Sequence, residues 1–175
     1  VFKAVEETKK ILPQDLPLIG FCGSPWTLAA YSIEGGGSKD FNKTKNFMKE
    51  YPKELQEFLD ILTNACYEYL KQQVLSGVNA LQIFDSWADL LSGNDLEKLS
   101  LQYTRKLTSL LKTDPLTSNI PIILFEKAPK KNVVDWVFKD IACVSLYWKE
   151  DIESVAKDLK NKYVIQGNLD PNVLM

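Results

Sequence analysis

The sequence predicts an α/β fold, a parallel β-sheet with helices outside it. Two observations carry this. Short apolar runs, of which residues 120–125 (IPIILF) are the clearest, alternate five times with amphipathic helical segments. Polar residues, namely Ser24, Asp85, Ser86 and Asn168, follow the ends of those runs. Continuous apolar runs suit strands covered on both faces. Alternation alone does not separate a Rossmann-type sheet from a (β/α)8 barrel. No G-x-G-x-x-G follows any run, however. Polar residues at strand exits are what a TIM barrel places at its C-terminal rim.

The elements follow in order. Residues 1–12 carry Val1, Val5, Thr8 and Leu12 near one helical face, and Pro13 ends the pattern. Residues 16–22 form the first strand, read as buried on both faces. Ser24 caps the next helix, and Pro25 suits its first position, where a missing N–H has no partner to lose. Trp26, Ala30 and Ile33 make one apolar stripe of that helix, while Thr27, Tyr31 and Glu34 lie on another side. On pattern alone Tyr31 is a half-buried tyrosine whose hydroxyl reaches water. Gly35-Gly36-Gly37 stops the helix and begins a flexible loop. A short helix at 42–50 precedes a long one that starts at Pro52. Its apolar residues, from Leu55 to Val74, repeat at three and four until Ser76-Gly77 closes it.

Residues 79–84 are the second strand, and Asp85-Ser86-Trp87 is its exit. A helix begins near Asp95, with Leu96, Leu99, Tyr103, Leu107, Leu110 and Leu111 on its buried side. The third strand is 120–125, followed by a basic loop at 127–132 and a short helix at 133–140. The fourth strand is 141–147, a helix spans 151–159, and the fifth strand is 163–166. All 175 residues read as a single domain. The chain opens inside a helical pattern and stops just past a strand, which predicts an internal segment of a larger protein.

Composition narrows the function classes. The formal net charge is −2, with 45% hydrophobic and 25% charged residues, and no basic stripe suggests a nucleic-acid partner. No apolar run approaches the roughly 20 residues of a membrane helix, and no signal peptide begins the chain. Cys22, Cys66 and Cys143 are far apart in sequence and read as reduced core thiols of a cytoplasmic protein. The absence of histidine removes imidazole acid–base chemistry and most zinc sites from this chain.

Three strings carry a family resemblance: GSPWTLAAYSIEGGGSKDF at 23–41, LQIFDSWA at 81–88, and QGNLDP at 166–171. Together they resemble the uroporphyrinogen decarboxylase family. The resemblance implies a (β/α)8 TIM barrel, of which this chain supplies five strands, the third to the seventh. It also implies a carboxy-lyase that converts uroporphyrinogen III to coproporphyrinogen III in haem biosynthesis by removing carboxyl groups from four acetate arms. The family works without metal or organic cofactor, as a cytoplasmic homodimer. Tyr31 matches a tyrosine that hydrogen-bonds a substrate carboxylate, and Ser86 matches a small polar residue with similar work. Taken alone, Ser86 reads equally well as a serine capping a turn. Trp26 and Phe84 are either apolar wall or simply core, and Asp85 either orients a partner or caps a helix.

The family's catalytic arginines, its pyrrole-binding aspartate and its C-terminal histidine match nothing in this chain. No catalytic residue is therefore assigned, and the segment alone is expected to be inactive. Its sole arginine, Arg105, reads as a surface residue of a helix. The chain has Leu146-Tyr147-Trp148 where the family usually has an acidic residue, and a shortened loop, EKAPKKN, after Phe125. Two alternatives stand beside this reading. One is a non-catalytic barrel fragment. The other is a related corrinoid-dependent methyltransferase, which requires a His/Cys zinc set that this sequence lacks.

Overall fold

A computed structural model describes residues 1–127, 133–160 and 162–174. Five strands form one sheet in the order β1-β2-β3-β4-β5, with every neighbouring pair parallel. They are β1 (Ile19–Gly23), β2 (Ala80–Asp85), β3 (Ile122–Glu126), β4 (Cys143–Ser145) and β5 (Val164–Gln166). Spatial order equal to chain order is the outcome when each strand is followed by a helix that returns the chain to the same end of the sheet. The helices are α1 (Phe2–Ile11), α2 (Pro25–Glu34), α3 (Asn42–Glu50), α4 (Pro52–Leu75), α5 (Gln102–Thr113) and α6 (Ile152–Leu159).

The sheet has one sealed face. Leu81, Ile83, Ile122, Leu124 and Val144 are fully buried beneath the helices, together with Trp26, Leu59, Leu70, Leu107 and Leu111. Helix α4 is bound to β1 through Gln73. Its amide donates to Phe21 O (3.0 Å) and its Oε1 accepts from Phe21 N (3.0 Å). This close approach requires Gly20, where an added Cβ would lie 2.7 Å from Gln73 Oε1. At the other end of the α4–α5 pair, Asp114 accepts from Tyr67 Oη (2.5 Å) and pairs with Lys71 Nζ (2.8 Å).

The opposite face is open, which corrects the reading of the first strand. Ile19 and Phe21 are 44% and 61% exposed, while Gly20 and Cys22, which alternate with them, are buried. Elements also start or stop away from the sequence reading. The helix expected at 133–140 is one 3-10 turn at Val133–Asp135, and the helix expected from Asp95 opens with a π-helical segment, Leu96–Leu101. Strand β4 pairs only over Cys143–Ser145, shorter than the run at 141–147. The basic loop after Lys127 lies outside the described residues.

Candidate functional site

All five strands point the same way, so their exits share one rim. There, Ser24 caps α2 by accepting from Thr27 N (3.0 Å), and Pro25 stands at the start of that helix. Gly35 ends it in a left-handed conformation (φ 89°) that a side chain disfavours. The loop that follows is anchored. Glu34 accepts from Thr44 N and Oγ1 (3.0 and 3.1 Å), and Ser38 Oγ accepts from Phe41 N (3.2 Å). The Phe41 ring is fully buried.

Tyr31 lies where the helical spacing puts it. It is 38% exposed, while Trp26, Ala29 and Ala30 on the packing side are completely buried. Its ring stands edge-on to Trp87 (5.8 Å) and against Phe41 (6.4 Å), and Phe41 packs on Trp87 at 4.4 Å. Trp87 is itself fixed by Trp26, whose Nε1 donates to Trp87 O (2.8 Å). Trp26 is therefore core, not site wall, and it acts on the rim only by holding Trp87. Sequence reasoning missed Phe41 and Trp87 as supports of Tyr31. The one signal for them was aromatic residues directly after a glycine loop and a strand exit.

Asp85 and Ser86 are neighbours with different surroundings. The Asp85 side chain points to the sealed side and is fully buried. It accepts hydrogen bonds from Thr27 Oγ1 (2.9 Å) and from Ser100. Burial pushes its carboxyl above the usual carboxylate range, against the hydrogen bonds from Ser100, Thr27 and Ser24. Asp85 thus orients partner side chains and ties β2 to α2 and to the π-helical segment. Ser86, one residue on, is half-buried in the turn that follows β2.

Beneath this rim the open face carries an aromatic floor. Phe21, Phe84 and Phe125 sit side by side on three strands, with ring centroids 6.0 Å apart in each neighbouring pair. Phe84 therefore lines the open face and not the sealed core. On the far side of the rim, Asn168 Nδ2 donates to Tyr147 O (3.1 Å) and Glu150 O (2.6 Å). Arg105 pairs with Glu97 and faces the Phe138 ring at 5.7 Å, on the helical layer and away from this rim. A cavity of about 420 Å³ bordered by α3, α4 and Leu90–Leu99 touches neither Tyr31 nor Ser86.

The three cysteines are free and buried, as the sequence reading expects. Cys22 and Cys66, distant in sequence, meet in space between β1 and α4. The hydrogen bond with Cys66 and burial hold the Cys22 thiol well above the ordinary thiol range. No third metal-ligating side chain joins them among the described residues.

Parallel strands in chain order with outer helices define an α/β protein of the class whose strands and helices alternate around a barrel. Comparison with known proteins narrows the class. The family model for uroporphyrinogen decarboxylase (URO-D) matches residues 1–175, and the chain belongs to that family. It is 41% identical over 178 residues to a uroporphyrinogen decarboxylase of Dechloromonas aromatica, with 99% of this chain and 49% of that protein covered. It is 38% identical over 174 residues to that of Hydrogenovibrio crunogenus, again with 99% and 49% covered. The chain therefore spans about half the length of these curated relatives. Among solved structures, a methyltransferase from Methanosarcina mazei superposes with a TM-score of 0.72 over 95% of this chain and 47% of its own, at 18% identity. That likeness is one of fold.

Proposed function

We propose that this chain is the middle of a uroporphyrinogen decarboxylase and contributes the part of the site that holds substrate, as one stretch of a single barrel domain. The observation that carries this reading is Tyr31. It is braced by Trp87 and Phe41, it keeps its exposure at the strand-exit rim, and it stands in the family's signature string. Ser86 and the floor of Phe21, Phe84 and Phe125 support the same reading.

The chemistry explains why such a site needs little else from this segment. Loss of CO₂ leaves an electron pair on carbon, and a pyrrole protonated on its ring can accept it. The protein must seat an apolar macrocycle, hold its carboxylates, and supply a proton. The phenylalanine floor suits the macrocycle, and the Tyr31 and Ser86 hydroxyls donate to carboxylates. In this reading the two hydroxyls hold carboxylates and do not supply the ring proton. The proton and the arginine clamp thus come from family positions with no match in these residues. Cytoplasmic location and a homodimer are part of this reading. Among the described residues no helix is long and apolar enough to cross a membrane.

The test is an anaerobic assay with uroporphyrinogen. A complete barrel carrying these residues is expected to form coproporphyrinogen, and the 175-residue chain alone is not. In the complete barrel, Tyr31→Phe should lower kcat/KM by about tenfold or more, the worth of a hydrogen bond to a charged group. Unchanged kcat/KM would remove Tyr31 from the site. Turnover by the chain alone would show that the missing family positions are dispensable.

A further inference from the structure

The rim holds a cation that the reading above leaves without work. Lys127 follows β3, and its backbone N–H donates to Asp85 O (3.0 Å), which sets it beside the exit that carries Ser86. It has the same parity as Ile123 and Phe125, and Phe125 belongs to the floor on the open face. Its Nζ lies 5.4 Å from the Trp87 ring centroid and 5.5 Å from that of Tyr147, and it pairs with Asp89 Oδ2 at 2.9 Å. Tyr31 and Lys127 thus rest on the same indole.

We propose that Lys127 binds a ligand carboxylate at this rim, exchanging Asp89 for it when the ligand arrives. The inference rests on the decarboxylase reading, and the ligand is a carboxylate arm of a polycarboxylated tetrapyrrole. Three features support exchange rather than a fixed structural pair. Lys127 and Asp89 side chains keep 24% and 28% of their surface exposed, so an incoming carboxylate can reach the ammonium and take the place of Asp89. The two aromatic faces hold the ammonium in place whichever carboxylate it meets. An ammonium is a compact charge with three donors on a flexible stem, so it changes acceptor without the fixed fork geometry of an arginine. The chain's sole arginine is committed to Glu97 on the helical layer, so it does not compete for this role.

The experiment is titration of a complete barrel carrying these residues with uroporphyrin, the air-stable octacarboxylate, followed by quenching of tryptophan fluorescence at two salt concentrations. Lys127→Met should weaken binding about tenfold and flatten its salt dependence, and Lys127→Arg should restore most of both. Asp89→Asn separates the proposal from a structural role. It frees the ammonium, so binding should tighten several-fold, whereas loss of a purely structural pair would weaken it as Lys127→Met does. Circular dichroism of each variant confirms the fold. If Asp89→Asn weakens binding, or Lys127→Met binds as wild type does, the role of Lys127 is overturned while the decarboxylase reading stands. If the wild-type complete barrel does not bind uroporphyrin, both are overturned.

Discussion

The two faces of the sheet use the same kinds of residue for different ends. On the sealed face, Leu81, Ile83, Ile122 and Leu124 are completely buried, and the adjoining polar groups are tied into bonds such as Asp85 to Thr27. On the open face Phe21 stays 61% exposed and Phe84 and Phe125 half-buried, although each is as apolar as anything in the core. The lesson is that apolarity alone does not identify core in an α/β chain. Position parity does, because neighbours along one strand point to opposite sides. Asp85 and Ser86 make the point in the smallest space. The first is fully buried and builds the structure behind the rim, and the second is half-buried in the turn that follows.

The comparison is broken most directly by truncating one apolar residue on each face. Leu124→Ala removes a fully buried side chain and should cost about 2–5 kcal/mol, because the helices above cannot close the gap completely. Phe21→Ala removes a larger side chain but should cost about 1 kcal/mol, chiefly its edge contact with Phe84. Urea unfolding of the two variants measures the difference. Equal losses would mean that the open face is core after all.

Much of this architecture was legible in the sequence. Five strands were readable because parallel strands beneath helices need continuous apolar runs, and the cap, proline and glycines around α2 mark its ends through local chemistry. Tyr31 was readable because its helical spacing takes it off the stripe of Trp26 and Ala30. The double burial assigned to β1 failed because a run such as LIGFC looks the same whether its second face meets helices or the barrel interior. The helix at 133–140 failed because so short a segment depends on tertiary packing. Here Val133 and Trp136 find their burial from a single turn. Phe41, Trp87 and Lys127 come from three separate loops, and only the fold brings them to one place. The meeting of Cys22 with Cys66 was illegible for the same reason.

A smaller effect should come from the polar knot behind the rim. Asp85→Ala leaves the hydroxyls of Thr27 and Ser100 without their buried acceptor and should cost about 1–3 kcal/mol. Asp85→Asn keeps one acceptor oxygen and removes the burial penalty on a charge, so it should cost less than the alanine change. Thermal unfolding of both variants checks the order. An alanine variant as stable as the asparagine one would show that the carboxylate orients nothing.

The smallest expected effect compares Asp85 with Asp114, the acid that fastens α4 to α5. Burial raises the carboxyl of Asp85. Above 3.8, and up to that raised value, the folded chain holds a proton that the unfolded chain has released, so this group's contribution falls as pH rises. Asp114 has the opposite sign. The hydrogen bonds from Lys71 and Tyr67 lower it from 3.8 to about 2. Its contribution is fully present above 3.8 and is lost as pH falls towards 2, because in that window the unfolded chain binds a proton that the folded chain refuses. Asp114→Asn should therefore lie below wild type in stability at neutral pH, and the two curves should converge as the pH approaches 2. Asp85→Asn should instead gain on wild type as pH rises through the window above 3.8, since only wild type must then ionise a buried group. Urea midpoints measured from pH 2 to pH 7 test both signs. Curves for Asp114→Asn and wild type that stay parallel down to pH 2 would mean that the clasp with Lys71 and Tyr67 does not hold in solution.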